Sequence, residues 1–196
     1  MPTKSSRRPR MGNKVYQLKV TLRRAKPPIW RRLLVTDDTY LDRLHLIIQD
    51  AMGWQNCHLY QFDTGSFRYM EYFEEDFIDD NQKPASSIRL GDLGLQKGRA
   101  LRYMYDFGDG WLHEIKVEGI ARIERGAQYP RCIAGRRACP PEDCGGIFGY
   151  HDMLCVLGSK SDPEGQEYLE GLRRDWDPDE FDLQKTDALL RALYGR

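Results

Sequence analysis

No stretch of this 196-residue chain approaches the roughly 18 consecutive apolar residues that a membrane-spanning helix needs, so no transmembrane segment is expected. The opening MPTKSSRRPRMGNK is basic and lacks the apolar core of a secretory signal, which argues against export and for a cytoplasmic location. No glycine-rich nucleotide fingerprint and no internal repeat is visible. Asp106-Phe107-Gly108 invites comparison with the metal-binding triplet of protein kinases, but neither a glycine-rich phosphate loop nor a His-Arg-Asp segment accompanies it, and the kinase reading fails. Net charge is missing too: 30 Lys and Arg face 30 Asp and Glu. That leaves no strong overall footprint for a nucleic-acid partner. What is present is a core, since 40% hydrophobic and 11% aromatic content is enough to rule out a disordered or collagen-like chain.

The zero net charge hides segregation. Met1 to Thr36 carries eleven Lys and Arg and no acid, whereas Asp37 to Gln82 carries eleven acids against Arg43 and Arg68. Asp162 to Asp182 holds nine acids against Arg173 and Arg174. Residues 1–13, rich in Pro, Ser and Arg without an apolar period, are expected to form a disordered basic tail, followed by a single domain over 14–196. The tail is a nucleic-acid contact in one reading and a solvated segment in the other.

Val15 to Leu22 places Tyr16, Leu18, Val20 and Leu22 at period two and predicts a half-buried strand. Ile29 to Val35 predicts its partner. Thr36-Asp37-Asp38-Thr39 offers capping side chains to a helix in which Leu41, Leu44, Ile47, Ile48 and Ala51 keep helical spacing, with Gly53 as its stop. His58 to Phe62 and Ser66 to Tyr69 predict a strand pair, and Glu71 to Lys83 an acidic surface loop. Leu101 to Phe107 and Trp111 to Ile123 predict a hairpin turned by Gly108-Asp109-Gly110. From Tyr129 to Gly149 the chain reads as a cysteine-bearing loop. Helices are expected at Tyr150–Leu157, Pro163–Asp175 and Leu183–Tyr194. The order, strands first and helices last, predicts an α+β fold with a largely antiparallel sheet from the N-terminal two-thirds, packed by the early helix and the C-terminal ones.

Two segments concentrate chemistry. In the first, Asp106, Asp109 and His113, with Glu114, offer carboxylates and an imidazole for proton transfer or for a cation. Turn chemistry alone also explains the aspartates, and period two puts His113 on one face with Trp111 and Ile115, where it could equally be a core residue. In the second, Cys132, Cys139 and Cys144 lie in a Pro- and Gly-rich stretch. Converging thiolates of this kind bind zinc, although the spacing of six and then four residues is wider than in familiar zinc modules, and free structural thiols are the alternative. Five cysteines, an odd count, fit reduced thiols better than disulfides. A fourth zinc ligand would come from His113, His151, Cys155 or His58, with His113 preferred for its strand position.

Taken in order, Tyr16-Gln17-Leu18-Lys19-Val20, Pro27-Pro28-Ile29-Trp30-Arg31-Arg32, Leu44-His45 leading to Gly53-Trp54, His58-Leu59-Tyr60-Gln61-Phe62, Tyr105-Asp106-Phe107-Gly108-Asp109-Gly110-Trp111-Leu112-His113 and Cys139-Pro140-Pro141-Glu142-Asp143-Cys144-Gly145-Gly146 with Gly149-Tyr150 form a recognisable series. On these motifs the chain resembles the plasmid pRiA4b ORF-3-like family, from about Val15 to Leu193. The resemblance implies an α+β fold, an association with plasmids or mobile elements, and no settled activity or catalytic residues. It places Asp106, Asp109, Trp111, His113, Glu142 and Asp143 among characteristic positions, which favours a shared site or demanding turn geometry.

The expected function is therefore a cytoplasmic binding or interaction module. The alternative is a metal-dependent hydrolase acting on nucleic acid or a phosphoester, with Asp106, Asp109, His113, Glu142 and Asp143 around the cation.

Overall fold

The computed structural model of the protein describes residues 13–71, 79–158 and 176–195. Its frame is an eight-stranded sheet in the order β5-β4-β3-β6-β7-β1-β2-β8. The strands are β1 (Lys14–Leu22), β2 (Trp30–Thr36), β3 (Tyr60–Asp63), β4 (Arg68–Met70), β5 (Gln82–Pro84), β6 (Ala100–Tyr105), β7 (Trp111–Arg122) and β8 (Arg131–Arg136). All neighbours pair antiparallel except β4 and β5, which run parallel. Among the described residues the α-helices are α1 (Leu41–Met52), α2 (Gly146–Gly158) and α3 (Leu183–Tyr194). None is long and apolar enough to cross a membrane. The α+β architecture with an early helix and C-terminal helices is the one the sequence implies.

Alternation along the central strands decides which face is covered. Leu18 and Val20 of β1, Leu33 of β2, Tyr103 and Tyr105 of β6, and Trp111, His113, Ile115 and Val117 of β7 are all fully or almost fully buried. They share one face because a strand's side chains alternate with period two. On that face α1 buries Leu41, Leu44, Ile47, Ile48 and Ala51, and α3 packs against β8 and α1. The opposite face stays open to solvent, as antiparallel sheets permit. It carries Lys19, Arg32, Arg102, Glu114, Lys116 and Glu118, with Arg32 Nε held 2.6 Å from Glu118 Oε2.

Three details depart from the sequence reading. The cysteine-bearing stretch begins with a strand, β8, whose residues pair with β2 from Trp30↔Arg136 to Leu34↔Arg131. It was hidden because its edge position leaves only Cys132 deeply buried. The acidic loop gives way at Gln82–Pro84 to a short strand parallel to β4. And α1 starts from Tyr40 without a side-chain cap, since the expected capping residues are engaged elsewhere: Asp37 Oδ1 accepts from the N–H groups of Asn13 and Lys14 at the start of β1, and Thr36 Oγ1 bonds Asp38. The basic tail up to Gly12 and the expected helix at Pro163–Asp175 lie outside the described residues.

Candidate functional site

At one end of the covered face, three connections meet. The link from α1 to β3 passes through Asn56, whose φ of 55° is left-handed, and delivers Cys57 and His58. The β6–β7 turn begins with Asp106, also at φ 55°. Asp106 is pinned four ways: its N–H donates to Leu59 O at 2.9 Å, its carbonyl accepts from Gly110 N–H at 2.7 Å, its Oδ1 accepts from Gly108 N–H at 2.8 Å, and its Oδ2 faces His58. The third connection joins β8 to α2 and carries Glu142 and Asp143, the latter again at φ 55°. Asn and Asp are the side chains that occupy this conformation most readily after glycine, which is why the chain can turn sharply at each of these points. Gly146 seats the start of α2 on the β6–β7 turn: at φ 67° its ideal Cβ position would lie 2.4 Å from Asp109 O, so no larger residue fits.

The outcome is convergence. His58 Nε2 stands 3.0 Å from Asp143 Oδ1 and 3.7 Å from Asp106 Oδ2. Asp106 is largely buried, with 8% of its side chain exposed, whereas Asp143 is 71% exposed and His58 29%. One donor atom from each of the three lies within 4.8 Å of the others, and a second set, Cys57, His58 and Glu142, meets the same limit. Glu142 Oε1 accepts from Gln55 N–H at 2.8 Å and from the Tyr105 hydroxyl at 3.0 Å. Its Oε2 is buried and has no hydrogen-bond partner. The Tyr105 oxygen in turn accepts from Cys57 N–H at 3.1 Å. Burial pushes the Tyr105 phenol upward, with the Cys57 side chain and the charge of Glu142 adding to it, so it stays a neutral donor to Glu142.

Of the residues singled out from the sequence, Asp106, Glu142 and Asp143 are brought together here. Asp109 is not in either converging set; its Oδ2 is buried without a hydrogen-bond partner. His113 is fully buried on β7, edge-on to Trp54 with ring centroids 5.2 Å apart and 5.3 Å from the Tyr103 ring. Burial drives its pKa down to about 4, so it is a neutral core imidazole, and it belongs to neither converging donor set. The set of Cys132, Cys139, Cys144 and His113 is not assembled either: among the described residues, neither converging donor group contains any of the four. The reason is that β8 turns Cys132 into the core, where its N–H donates to Asp187 Oδ1 at 3.0 Å, and its thiol and that of Cys139 both face Arg31. The Cys144 sulfur instead lies 4.0 Å from Gly146 O, at the start of α2. All three thiols are buried and pack as small apolar groups. The imidazole that stands beside Asp106 and Asp143 is that of His58, with Cys57 next to it. Their signal was present in the sequence, an imidazole and a thiol at the mouth of a strand, but it gains meaning only once the β6–β7 turn and the 142–143 segment are seen to close over it.

The fold and this cluster define a class: an α+β protein with a wide, mostly antiparallel sheet and a mixed imidazole, carboxylate and thiol cluster where three connections meet. The profile of the family described as plasmid pRiA4b ORF-3-like protein matches residues 14–185, and the chain belongs to that family. It is 37% identical over 161 residues to the uncharacterized protein y4hQ of Sinorhizobium fredii, covering 81% of this chain and 79% of that one. It is also similar to the crystal structure of MM3350 from Methanosarcina mazei Go1, a protein of unknown function, with a TM-score of 0.80, 32% identity, and coverage of 89% of this chain and 98% of that one.

Proposed function

We propose that the protein is a metal-dependent hydrolase whose divalent cation is held by His58, Asp106 and Asp143. The observation that carries this reading is the approach of one imidazole and two carboxylates, one buried and one open to solvent, to within 4.8 Å of one another. Catalytic sites of this type keep three protein ligands and leave a position for water, and the exposure of Asp143 leaves that side accessible. The bound cation supplies water acidified towards neutral pH. We assign its proton to Glu142, which reaches His58 in the second donor set: Oε1 is fixed by Gln55 and Tyr105, while Oε2 has no hydrogen-bond partner. A positioned acceptor of this kind typically contributes 10²–10⁴-fold. The N-terminus of α2, three residues beyond Asp143, adds partial positive charge that favours an anionic substrate such as a phosphoester.

The test is calorimetric titration of the purified chain with Zn²⁺ and Mn²⁺, paired with hydrolysis of a chromogenic phosphodiester. Expected are binding near one equivalent and cation-dependent turnover, both lost in His58→Ala. Turnover that is indifferent to chelation and to His58 defeats the reading.

A second reading, an interaction module, draws on the open sheet face. There the Trp30 ring has Lys19 Nζ at 5.0 Å and the Arg32 guanidinium at 5.1 Å from its centroid, an aromatic and basic pairing suited to a single-stranded nucleic acid. Together with the basic tail it calls for salt-dependent binding to an oligonucleotide, weakened by Trp30→Ala and unaffected by His58→Ala.

A further inference from the structure

Cys57 is the thiol that the described structure sets among other metal donors. Its Sγ lies with a ring nitrogen of His58 and a carboxylate oxygen of Glu142 within a mutual 4.8 Å. Cys57 is exposed, and its sulfur's hydrogen-bonding contact, to the Tyr105 hydroxyl at 3.7 Å, is long. We infer that Cys57, His58 and Glu142 form a second cation position, selective for thiophilic divalent ions of the zinc and cobalt type, adjoining the proposed hydrolytic centre through the shared His58.

The donor chemistry separates the two positions. His58, Asp106 and Asp143 offer nitrogen and oxygen only. Cys57, His58 and Glu142 offer sulfur, nitrogen and oxygen, a combination that favours zinc-like ions over magnesium or calcium. Ligands around one tetrahedral zinc stand roughly 3.3–3.8 Å apart, given bonds of about 2.0–2.3 Å. Donors already within 4.8 Å reach that spacing by side-chain rotation, and the exposed Cys57 has room for it. Glu142 has an oxygen to give, since Oε2 has no hydrogen-bond partner while Oε1 keeps Tyr105 and Gln55. As the sulfur–metal bond forms, the thiol proton passes to solvent. Both sets draw on His58, and the second also takes up the proton acceptor of the first. A thiophilic ion held by Cys57 therefore opposes hydrolysis at the neighbouring position.

Cobalt(II) chloride added to the reduced, purified chain reads the two positions separately. The expected result is a near-ultraviolet thiolate-to-cobalt charge-transfer band in the parent protein. In Cys57→Ser that band disappears, while the visible bands of cobalt on nitrogen and oxygen ligands persist. In the parent protein, Zn²⁺ should also slow alkylation of Cys57 at least tenfold, mapped by peptide mass spectrometry, a readout that does not depend on a variant folding. A charge-transfer band of equal strength in Cys57→Ser overturns the inference by assigning the sulfur elsewhere. Visible bands without charge transfer in the parent protein overturn it too, but leave the His58, Asp106 and Asp143 centre standing. No cobalt spectrum at all removes both.

Discussion

Two parts of the molecule set thiols beside ionisable groups, and they are built in opposite ways. Around Arg31 the polar chemistry is consumed by the fold. Its Nε donates to Ala51 O at 2.7 Å, its Nη1 to Trp30 O at 2.9 Å and Arg136 O at 3.1 Å, and its guanidinium lies 4.0 Å from the Phe181 ring centroid. The neighbouring thiols are pushed up by burial, Cys132 to about 11 and Cys139 to about 12, with the Arg31 charge pulling the other way. Around His58 the burial is graded: Cys57 and Asp143 are exposed, His58 is partly so and Asp106 is buried, while one Glu142 oxygen is left without a hydrogen-bond partner and one imidazole nitrogen faces two carboxylates. Residue types are similar in the two places. What separates a site from a polar core cluster is access and unused bonding capacity.

That contrast breaks first if the covered face is not the rigid partner in it. Trp111 is 1% exposed and packs its ring 5.8 Å from Trp54, so Trp111→Ala should cost about 3–5 kcal/mol of stability, read from urea unfolding. An unchanged midpoint would place the indole at the surface and remove the floor on which the His58 rim is built.

Acid should then dissolve the interior before it touches the rim's architecture. His113 and His45 are both held neutral by burial, each with a pKa lowered to about 4; the hydrogen bond from His45 to Asn56 opposes its shift. A base whose folded pKa lies below its unfolded value of about 6.5 binds protons better when unfolded. Its stabilising contribution is complete above about pH 6.5 and is lost as pH falls toward 4, on the order of 3 kcal/mol per imidazole. Thermal unfolding followed from pH 7 to pH 4 should show this loss, and His45→Gln should shrink it. A flat profile over that window would mean the two rings are not buried neutral.

The thiols sharpen the comparison at a smaller scale. Cys139→Ser puts a hydroxyl into the core and should cost about 1–3 kcal/mol, with cation binding unchanged. Cys57→Ser should leave stability within about 0.5 kcal/mol, as for other exposed substitutions. A thiol reagent should modify Cys57 and Cys155 in the native protein and reach Cys132, Cys139 and Cys144 only on unfolding, following their exposure. Equal reactivity of all five would erase the distinction.

Much of the fold could be read from the chain because its signals are local. The β6–β7 hairpin follows from alternating aromatics around Gly108-Asp109-Gly110, and α1 from its apolar period and Gly53, which adopts φ 93°. The site was legible only in part. Asp106, Glu142 and Asp143 announce themselves as polar residues at turns, but their partner depends on which of four histidines the topology delivers. His113 had the better local context, yet the β7 register opposite Tyr103 buries it. His58 precedes a strand by a single residue, Leu59, and becomes a ligand candidate only because β3 pairs with β6 and so brings it against Asp106. β8 misled for the same reason: three cysteines close in sequence suggest one metal, but a strand and a turn bury two of them around Arg31 and send the third to the start of α2.

The smallest expected effect on stability, that of Asp143→Asn, belongs to the sharpest statement about the rim. Asp143 is 71% exposed and sits in the left-handed region, which asparagine tolerates nearly as well. Asp106→Asn keeps an oxygen to accept from Gly108 N–H, the bond that shapes the turn, and exchanges the charged oxygen facing His58 for a neutral amide nitrogen. Asp143→Asn should therefore leave the unfolding free energy within about 0.5 kcal/mol, and the buried Asp106→Asn should cost about 1–3 kcal/mol at most while staying folded. A cation bound by His58 and two carboxylates loses a charged ligand in either variant, and its affinity should fall at least tenfold, or about 1.4 kcal/mol. The loss should be greater for Asp106→Asn, since its carboxylate is buried and a charge interaction strengthens where water is excluded. Calorimetric titration with Mn²⁺, which discounts the sulfur of Cys57, measures both. Unaltered affinity in the two variants, with folding intact, would reduce the cluster to turn chemistry: an imidazole resting between two aspartates whose task is to hold the corners of β6 and α2.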